Sequence, residues 1–299
     1  MSQVESTYKS KDTEELLDRF FFRPFGYGIA VISKKAKLTP NMLTIFSIIL
    51  GVTAGHLYYY NSLLINVTGI MIYIFADILD SADGQLARMT GQISKTGRVF
   101  DGVATNLISI SIYMHLILRS MNNGFGWYIF IIAAIAGSSH VIQAAAADLY
   151  RHAYLYVVCG KEKSELDTSK NILEQFNKLT WKENFIDKLF LKFYWDYTRR
   201  QEFISGDFLN LIKLINTKYE VIPEWVREEY RILFRKMNKY YNFLTVNSRT
   251  FAAAAAVLLN IPVLYFLFEI FILNSVLIYV WMAQKSKSKK LYEKILNAD

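Results

Sequence analysis

Between positions 77 and 101 the chain gathers four aspartates, Asp77, Asp80, Asp83 and Asp101. Asp77, Asp80 and Asp83 are spaced three residues apart, which places them on one face of a helix. Asp101 follows a short intervening stretch that can return it beside the Asp80–Asp83 pair. The run leading into them, Leu63–Leu79, is apolar, so four ionised carboxylates there would lose hydration and repel one another, at a cost on the order of several kcal/mol. A divalent cation removes that cost. An all-oxygen donor set selects a hard ion, Mg²⁺ or Mn²⁺. Such an ion bridges phosphate oxygens and neutralises charge that builds during phosphoryl transfer, so a diphosphate-bearing substrate is the expected chemistry. Gly84 follows the pair directly and lets a ligand or backbone come close, and Arg88 offers a planar fork for phosphate.

The elements that must position these residues are apolar. Of 299 residues 53% are hydrophobic and 15% aromatic, yet 20% are charged. Lipid-compatible and strongly charged stretches therefore alternate, as in a polytopic membrane protein. Six segments approach the ~20 residues that a helix needs to cross the hydrocarbon core: 42–60, 63–79, 99–118, 127–147, 241–259 and 262–282. Basic residues crowd alternate loops: Arg19, Arg23, Lys34, Lys35 and Lys37 before the first segment, Arg88, Lys95 and Arg98 between the second and third, and Lys285, Lys287, Lys289 and Lys290 after the last. Arg119 is the exception. This asymmetry predicts that both termini are cytoplasmic, and the expected location is the inner (plasma) membrane of a bacterium. The net charge of +8 points to anionic lipid headgroups and an anionic substrate, with no nucleic acid partner. One cysteine, Cys159, excludes an internal disulfide. The first twenty residues lack an apolar run, so no cleavable signal peptide is expected.

The expected fold is all-α, a membrane bundle of six transmembrane helices with an N-terminal interfacial helix and a cytoplasmic helical insertion. Residues 1–38 form the N-terminal segment. Within it 16–32 reads as a helix lying in the interface, broken near Pro24. Residues 39–153 carry the first four spans, opened by Thr39 as cap and Pro40 at the first helical position. Residues 154–239 are polar, with Trp181, Phe185, Phe190, Phe193, Tyr194, Trp195 and Tyr197 among charges of both signs. They read as an insertion against the membrane surface or over the site, or as a solvated hairpin whose aromatics form its own small core. Residues 240–284 carry the last two spans and 285–299 a basic tail. The alanine runs 144–147 and 252–256 would let helices approach closely in lipid.

The order Asp80-x-x-Asp83-Gly84-x-x-Ala87-Arg88, eight residues, Gly97-x-x-x-Asp101 resembles the signature of the CDP-alcohol phosphotransferase family. The resemblance extends to the Thr39-Pro40-Asn41 opening and, by topology alone, to the rest of the chain. It implies a helical membrane bundle, usually dimeric, that transfers a phospho-alcohol group from a CDP-alcohol such as CDP-diacylglycerol to a hydroxyl acceptor and releases CMP. It further implies Asp80, Asp83 and Asp101 as metal ligands. Gly84, Ala87, Arg88 and Gly97, with Asn41 from the first span, would contact the nucleotide. In one place the sequence departs from the pattern. After three more residues the signature ends in an aspartate assigned as the base, and Thr105 stands there. Threonine cannot act as a general base at neutral pH. Asp77 is the nearest spare carboxylate, and His140 on the fourth span is of the residue type suited to proton transfer near neutral pH.

For the acceptor, Arg151 at the end of the fourth span and Arg249 at the start of the fifth could bind an anionic headgroup such as an inositol phosphate. Alternatively they snorkel, or Arg151 pairs with Asp148. Rival readings are an inactive family member acting as a binding partner and an ion-coupled transporter. A prenyltransferase would need two aspartate-rich motifs, and one is visible. A transporter would spread polar groups through several spans near the midplane, whereas these carboxylates gather at one edge.

Overall fold

The computed structural model describes residue 10 and residues 12–93, 95–160 and 166–298, without the side chains at 95, 96, 98 and 99. Lys95 and Arg98, used above for orientation, thus lie outside the described side chains. So do residues 1–9 and 11 of the N-terminal segment and 161–165 of the insertion. Helix accounts for 83% of the structure and no strand occurs among the described residues.

In chain order the helices are α1 (Arg23–Lys35), α2 (Pro40–Leu57), α3 (Leu63–Thr90), α4 (Lys95–Asn122), α5 (Tyr128–Tyr154), α6 (Ser169–Lys178), α7 (Phe185–Ile204), α8 (Gly206–Lys218), α9 (Glu224–Phe234), α10 (Asn238–Phe243), α11 (Val246–Leu258), α12 (Val263–Leu267) and α13 (Asn274–Leu296). Among the described residues three π turns extend them, at Asp18–Phe22, Leu155–Cys159 and Phe268–Leu273. The chain is an integral membrane protein. Among the described residues five helices are long and apolar enough to cross a bilayer: Pro40–Leu57, Leu63–Thr90, Phe100–Asn122, Tyr128–Cys159 and Val263–Leu296. The expected span over 241–259 is interrupted. Its first residues belong to α10, a turn follows, and α11 has 13 residues, about 20 Å against the roughly 30 Å hydrocarbon core.

The expected break near Pro24 is a π turn instead. Backbone dihedrals stay helical through Leu17, Phe22 and Arg23. Proline lacks an N–H and crowds the carbonyl four residues back, and the wider turn ahead of it relieves both. At the other end of this segment, Thr39 caps α2 by accepting from the Met42 N–H, with Pro40 opening the helix, as the sequence predicts.

By contacts the chain divides into two units. The first comprises 1–8, 15–137 and 248–268. Its core where α1, α2 and α3 meet is Ala30, Leu43, Leu79, Ala82 and Leu86. Glycines bring α2 onto α4. A Cβ on Gly51 would lie 2.7 Å from Ile108, and one on Gly55 would lie 2.6 Å from Ser111 Oγ and 3.0 Å from the Ile112 nitrogen. At the far end of α2 and α4 the Arg119 guanidinium is fully buried. It donates to the carbonyls of Tyr58 and Val257 and to the side chains of Asn66 and Asn260, at 2.9–3.2 Å. Asn260 has positive φ (57°), which asparagine tolerates. The turn after α11 is thereby tied to the ends of α2 and α4 and the start of α3.

The second unit comprises 9–14, 138–247 and 269–299. Within the insertion Trp181 packs on Phe176 and Phe185, and a second aromatic core joins the insertion to α5. Tyr150 packs on Phe208 and Tyr241, and Tyr154 on Tyr230, which stacks with Phe234. Asp12 accepts from Tyr154 Oη at 2.9 Å and pairs with Arg235 at 2.9 Å. The membrane end of α5 and the insertion thus share one core, because the tyrosines that build it lie on both.

Candidate active site

The site is built on α3 and α4 of the first unit. α3 runs for 28 residues, long enough to cross the bilayer and continue past it, and Asp77, Asp80 and Asp83 fall on successive turns of its second half. The short connection after Gly91, which takes the left-handed conformation (φ 69°) at the end of α3, returns the chain into α4. One carboxylate oxygen each of Asp80, Asp83 and Asp101 then lies within 4.8 Å of the others. Two of these groups sit on α3 and one on α4, so neither helix alone makes the cluster.

The partners of these carboxylates fix their geometry. Thr44 on α2 is buried and donates from Oγ1 to Asp83 Oδ2 at 2.6 Å. Thr250 on α11 approaches Asp77 Oδ2 at 3.4 Å, long for an O–H···O bond. The nearest atoms a Cβ on Gly84 would meet are those of the Arg88 guanidinium, at 3.5–3.9 Å, so that group borders the space over Gly84. Behind the site Gln85 donates to the Arg23 carbonyl at 3.1 Å. Gly26 admits it, since a Cβ there would lie 2.8 Å from Gln85 Nε2.

The donor set fits a hard divalent ion. All three are carboxylate oxygens, and a Mg–O bond of ~2.1 Å places neighbouring ligands roughly 3–4 Å apart, which small side-chain rotations reach from the present separation. Asp80, Asp83 and Asp101 would hold the ion.

Other expected site residues fall as follows. Ala87 and Arg88 lie on the last turns of α3, Gly97 and Asp101 on the first turns of α4, and Asn41 is exposed at the start of α2. Thr105 sits one turn beyond Asp101 and donates its hydroxyl to the Asp101 carbonyl at 3.1 Å. Arg249 is buried on α11, next to Thr250. His140 and Arg151 belong to the second unit. There His140 Nδ1 lies 3.1 Å from Glu269 Oε1, and Arg151 pairs with Asp148 at 2.9 Å, itself bonded by Tyr197 Oη at 2.6 Å. The pairing of Arg151 with Asp148 is the alternative weighed for it from the sequence.

Thr44 and Thr250 were not singled out by sequence reasoning. A hydroxyl inside an apolar span, one turn after the Pro40-Asn41 opening, is the signal that points to Thr44. Thr250 carries a fainter one, in the polar stretch 247–250 that opens α11.

Comparison with known proteins agrees with this placement. Residues 37–163 match the profile of the CDP-alcohol phosphatidyltransferase family. A stretch of 84 residues is 35% identical to the archaetidylinositol phosphate synthase of Pyrococcus horikoshii, covering 28% of this chain and 43% of that protein. The chain thus spans less than half the length of that relative. The matched stretch 37–163 holds the whole aspartate cluster.

Proposed function

We propose that this chain transfers a phospho-alcohol group from a CDP-alcohol to a hydroxyl acceptor and releases CMP, as a step in membrane phospholipid synthesis. The convergence of Asp80, Asp83 and Asp101 within 4.8 Å, on two helices of the matched domain, carries this reading. The acceptor oxygen forms a new bond to the phosphorus next to the alcohol, the bond to the CMP oxygen breaks, and the acceptor proton must leave. A divalent ion, when bound, neutralises diphosphate charge and orients the leaving group. The chain's own residues do the rest. Gly84 leaves room for the diphosphate, Arg88 offers it a charged fork, and Ala87, Gly97 and Asn41 border the nucleotide's side. Thr44 holds Asp83 in orientation.

Asp77 is the group we assign to the acceptor proton. It stands one turn from Asp80 on the same face, and Thr105 spends its hydroxyl on the Asp101 carbonyl. Arg249, buried beside Thr250, supports an anionic acceptor, and the similarity to an archaetidylinositol phosphate synthase makes an inositol phosphate the first one to try. Both termini are assigned to the cytoplasmic side on the strength of the loop charges.

The experiment is CMP release from CDP-diacylglycerol and CDP-archaeol by purified protein with Mg²⁺ or Mn²⁺ and a panel of acceptors: inositol phosphate, glycerol phosphate, serine and inositol. Release that needs an acceptor and stops on chelation is expected. No release with any acceptor from folded protein that binds Mn²⁺ would sink the proposal. That outcome would favour a second reading, an inactive binding partner, for which the tied Thr105 hydroxyl is the supporting observation. Thr105→Asp restoring turnover would then clinch that second reading.

A further inference from the structure

The polar insertion carries a face that water does not suit. On α7 Phe185, Ile186, Phe193 and Phe203 are 58, 64, 54 and 92% exposed. At 100° per residue they fall within one side of the helix, interleaved with Lys192, Arg199 and Arg200. Away from that side the helix is occupied inside the second unit, on the far face by Thr198 and on the two flanks by Lys188, about 20° from Arg199, and Tyr197, about 20° from Ile186. Lys188 is held over the rings of Phe176 and Trp181 and donates to the Leu179 carbonyl at 2.7 Å, Thr198 is buried, and Tyr197 bonds Asp148. A solvated hairpin would turn its charges outward and its rings inward. Here rings and cations share the outer side.

A second, independent observation gives the depth of this face. Trp281 and Met282 close the apolar run of the last span, and lysines 285, 287, 289 and 290 follow. Tryptophan followed by lysine marks the level of the lipid headgroups. Trp281 Nε1 donates to the Ile204 carbonyl at 3.2 Å, and Lys285, which lies over the Trp281 ring, reaches Asp207 at 3.4 Å. The corner between α7 and α8 is therefore held at headgroup level, one residue from Phe203. Phe203, Trp281 and Lys285 also border one cavity of about 200 Å³ at that corner. Charge agrees, since positions 178–200 carry six cations against three carboxylates. One of the cations, Arg200, pairs with Asp196.

We propose that α7 is a membrane-surface helix, seated in the headgroup layer of the bilayer that the chain itself spans. Phe193 and Phe203 enter the acyl boundary, and Lys192 and Arg199 meet the phosphates of anionic lipids. This rests on the spans and on α7 alone, and stands or falls apart from the catalytic reading.

Nitroxide labels read the depth directly. Ile186→Cys, Phe193→Cys and Phe203→Cys are placed one at a time in a Cys159→Ala background and reconstituted in phosphatidylcholine vesicles with and without phosphatidylglycerol. Accessibility to oxygen is compared with accessibility to a water-soluble nickel chelate. All three labels are expected to favour oxygen, as a label at Ile278 within the last span does, and to shift further that way with phosphatidylglycerol. A label at Lys178 should favour the chelate. Labels that track Lys178 would overturn the proposal in favour of a solvated face. Labels shielded from both reagents would overturn it in favour of protein contact, with a second copy identified if spin–spin broadening vanishes on dilution with unlabelled protein. Should Phe203→Cys fail to fold, Ile186 and Phe193 lie on earlier turns and decide the question by themselves.

Discussion

A carboxylate that binds metal is only as good as the group that aims it. Thr44 donates to Asp83 at 2.6 Å from a different helix, so α2 sets the direction of a ligand that α3 supplies. Hydrogen-bond partners behind a metal ligand are worth about 10–100-fold in metal affinity or activity. Thr44→Val is nearly isosteric and keeps the packing. It should raise the Mn²⁺ concentration for half-maximal stabilisation against heat by about that factor, while Thr44→Ser should leave it near wild type. Equal midpoints for Val and wild type would show that the hydroxyl does no aiming. The aspartates themselves were legible in the sequence, because three-residue spacing on one helix face needs no tertiary information. Thr44 was not, since its role depends on the register of α2 against α3. For the same reason the tie between Thr105 and the Asp101 carbonyl appears only once α4 is built, although their spacing of four residues permits it.

At the scale of elements, Asp101 reaches the α3 carboxylates only because α4 lies close along α2. Gly51 and Gly55 are the contact points, and their surroundings differ in kind. The obstacle at Gly51 is the Ile108 side chain, whereas Gly55 faces the Ser111 hydroxyl and then main-chain atoms of Ser111 and Ile112. A side chain can be cut back by substitution and a helical backbone cannot. Gly55→Ala should therefore lower stability in detergent by about 1–3 kcal/mol and weaken Mn²⁺ binding as Asp101 moves away. Gly51→Ala should cost less and be restored by Ile108→Ala, which removes the γ and δ carbons that the new Cβ meets. The reverse order, measured by thermal unfolding, would refute the distinction. The apolar run of α2 is plain from its sequence, but which of its faces meets α4 is not, because a helix apolar all round has no stripe to read. The missing length of α11 has a similar cause. Its first turn, Asn247-Ser-Arg-Thr250, faces Asp77 through Thr250, and the polar residues that serve the site shorten the apolar stretch.

For the whole molecule the open quantity is the number of crossings, and Arg119 bears on it. Five helices have the length to span the bilayer, which would put the two termini on opposite sides. Within the first unit, however, α11 starts near Asp77, where Thr250 approaches the carboxylate, and ends near Arg119, where Asn260 is bound. α3 covers the same distance between Asn66, another Arg119 partner, and Asp77. So α11 connects the carboxylate end to the opposite end despite its 13 residues, and we propose that it makes a sixth pass. The buried Arg119 knot explains how so short a helix is held there, since it takes up the Val257 carbonyl freed at the end of α11. Arg119→Met should remove the guanidinium donor from the Tyr58 carbonyl and Asn66 Oδ1, at about 1–3 kcal/mol each, while the Val257 carbonyl keeps the Asn66 amide and Asn260 Oδ1 keeps the Asn123 amide, and it should lower the unfolding temperature more than Thr44→Val does. Orientation gives the sharper test. With six passes, cysteines introduced at Asn61, Asn123 and Asn260 in a Cys159→Ala background should all react with a membrane-impermeant maleimide from the extracytoplasmic side. A reporter fused after position 299 should sit with the N-terminus in the cytoplasm. If Asn260 were labelled from the cytoplasmic side, or the C-terminal reporter lay outside, α11 would not be a crossing, and the basic residues after Met282 would break the charge asymmetry that every other loop except Arg119's obeys.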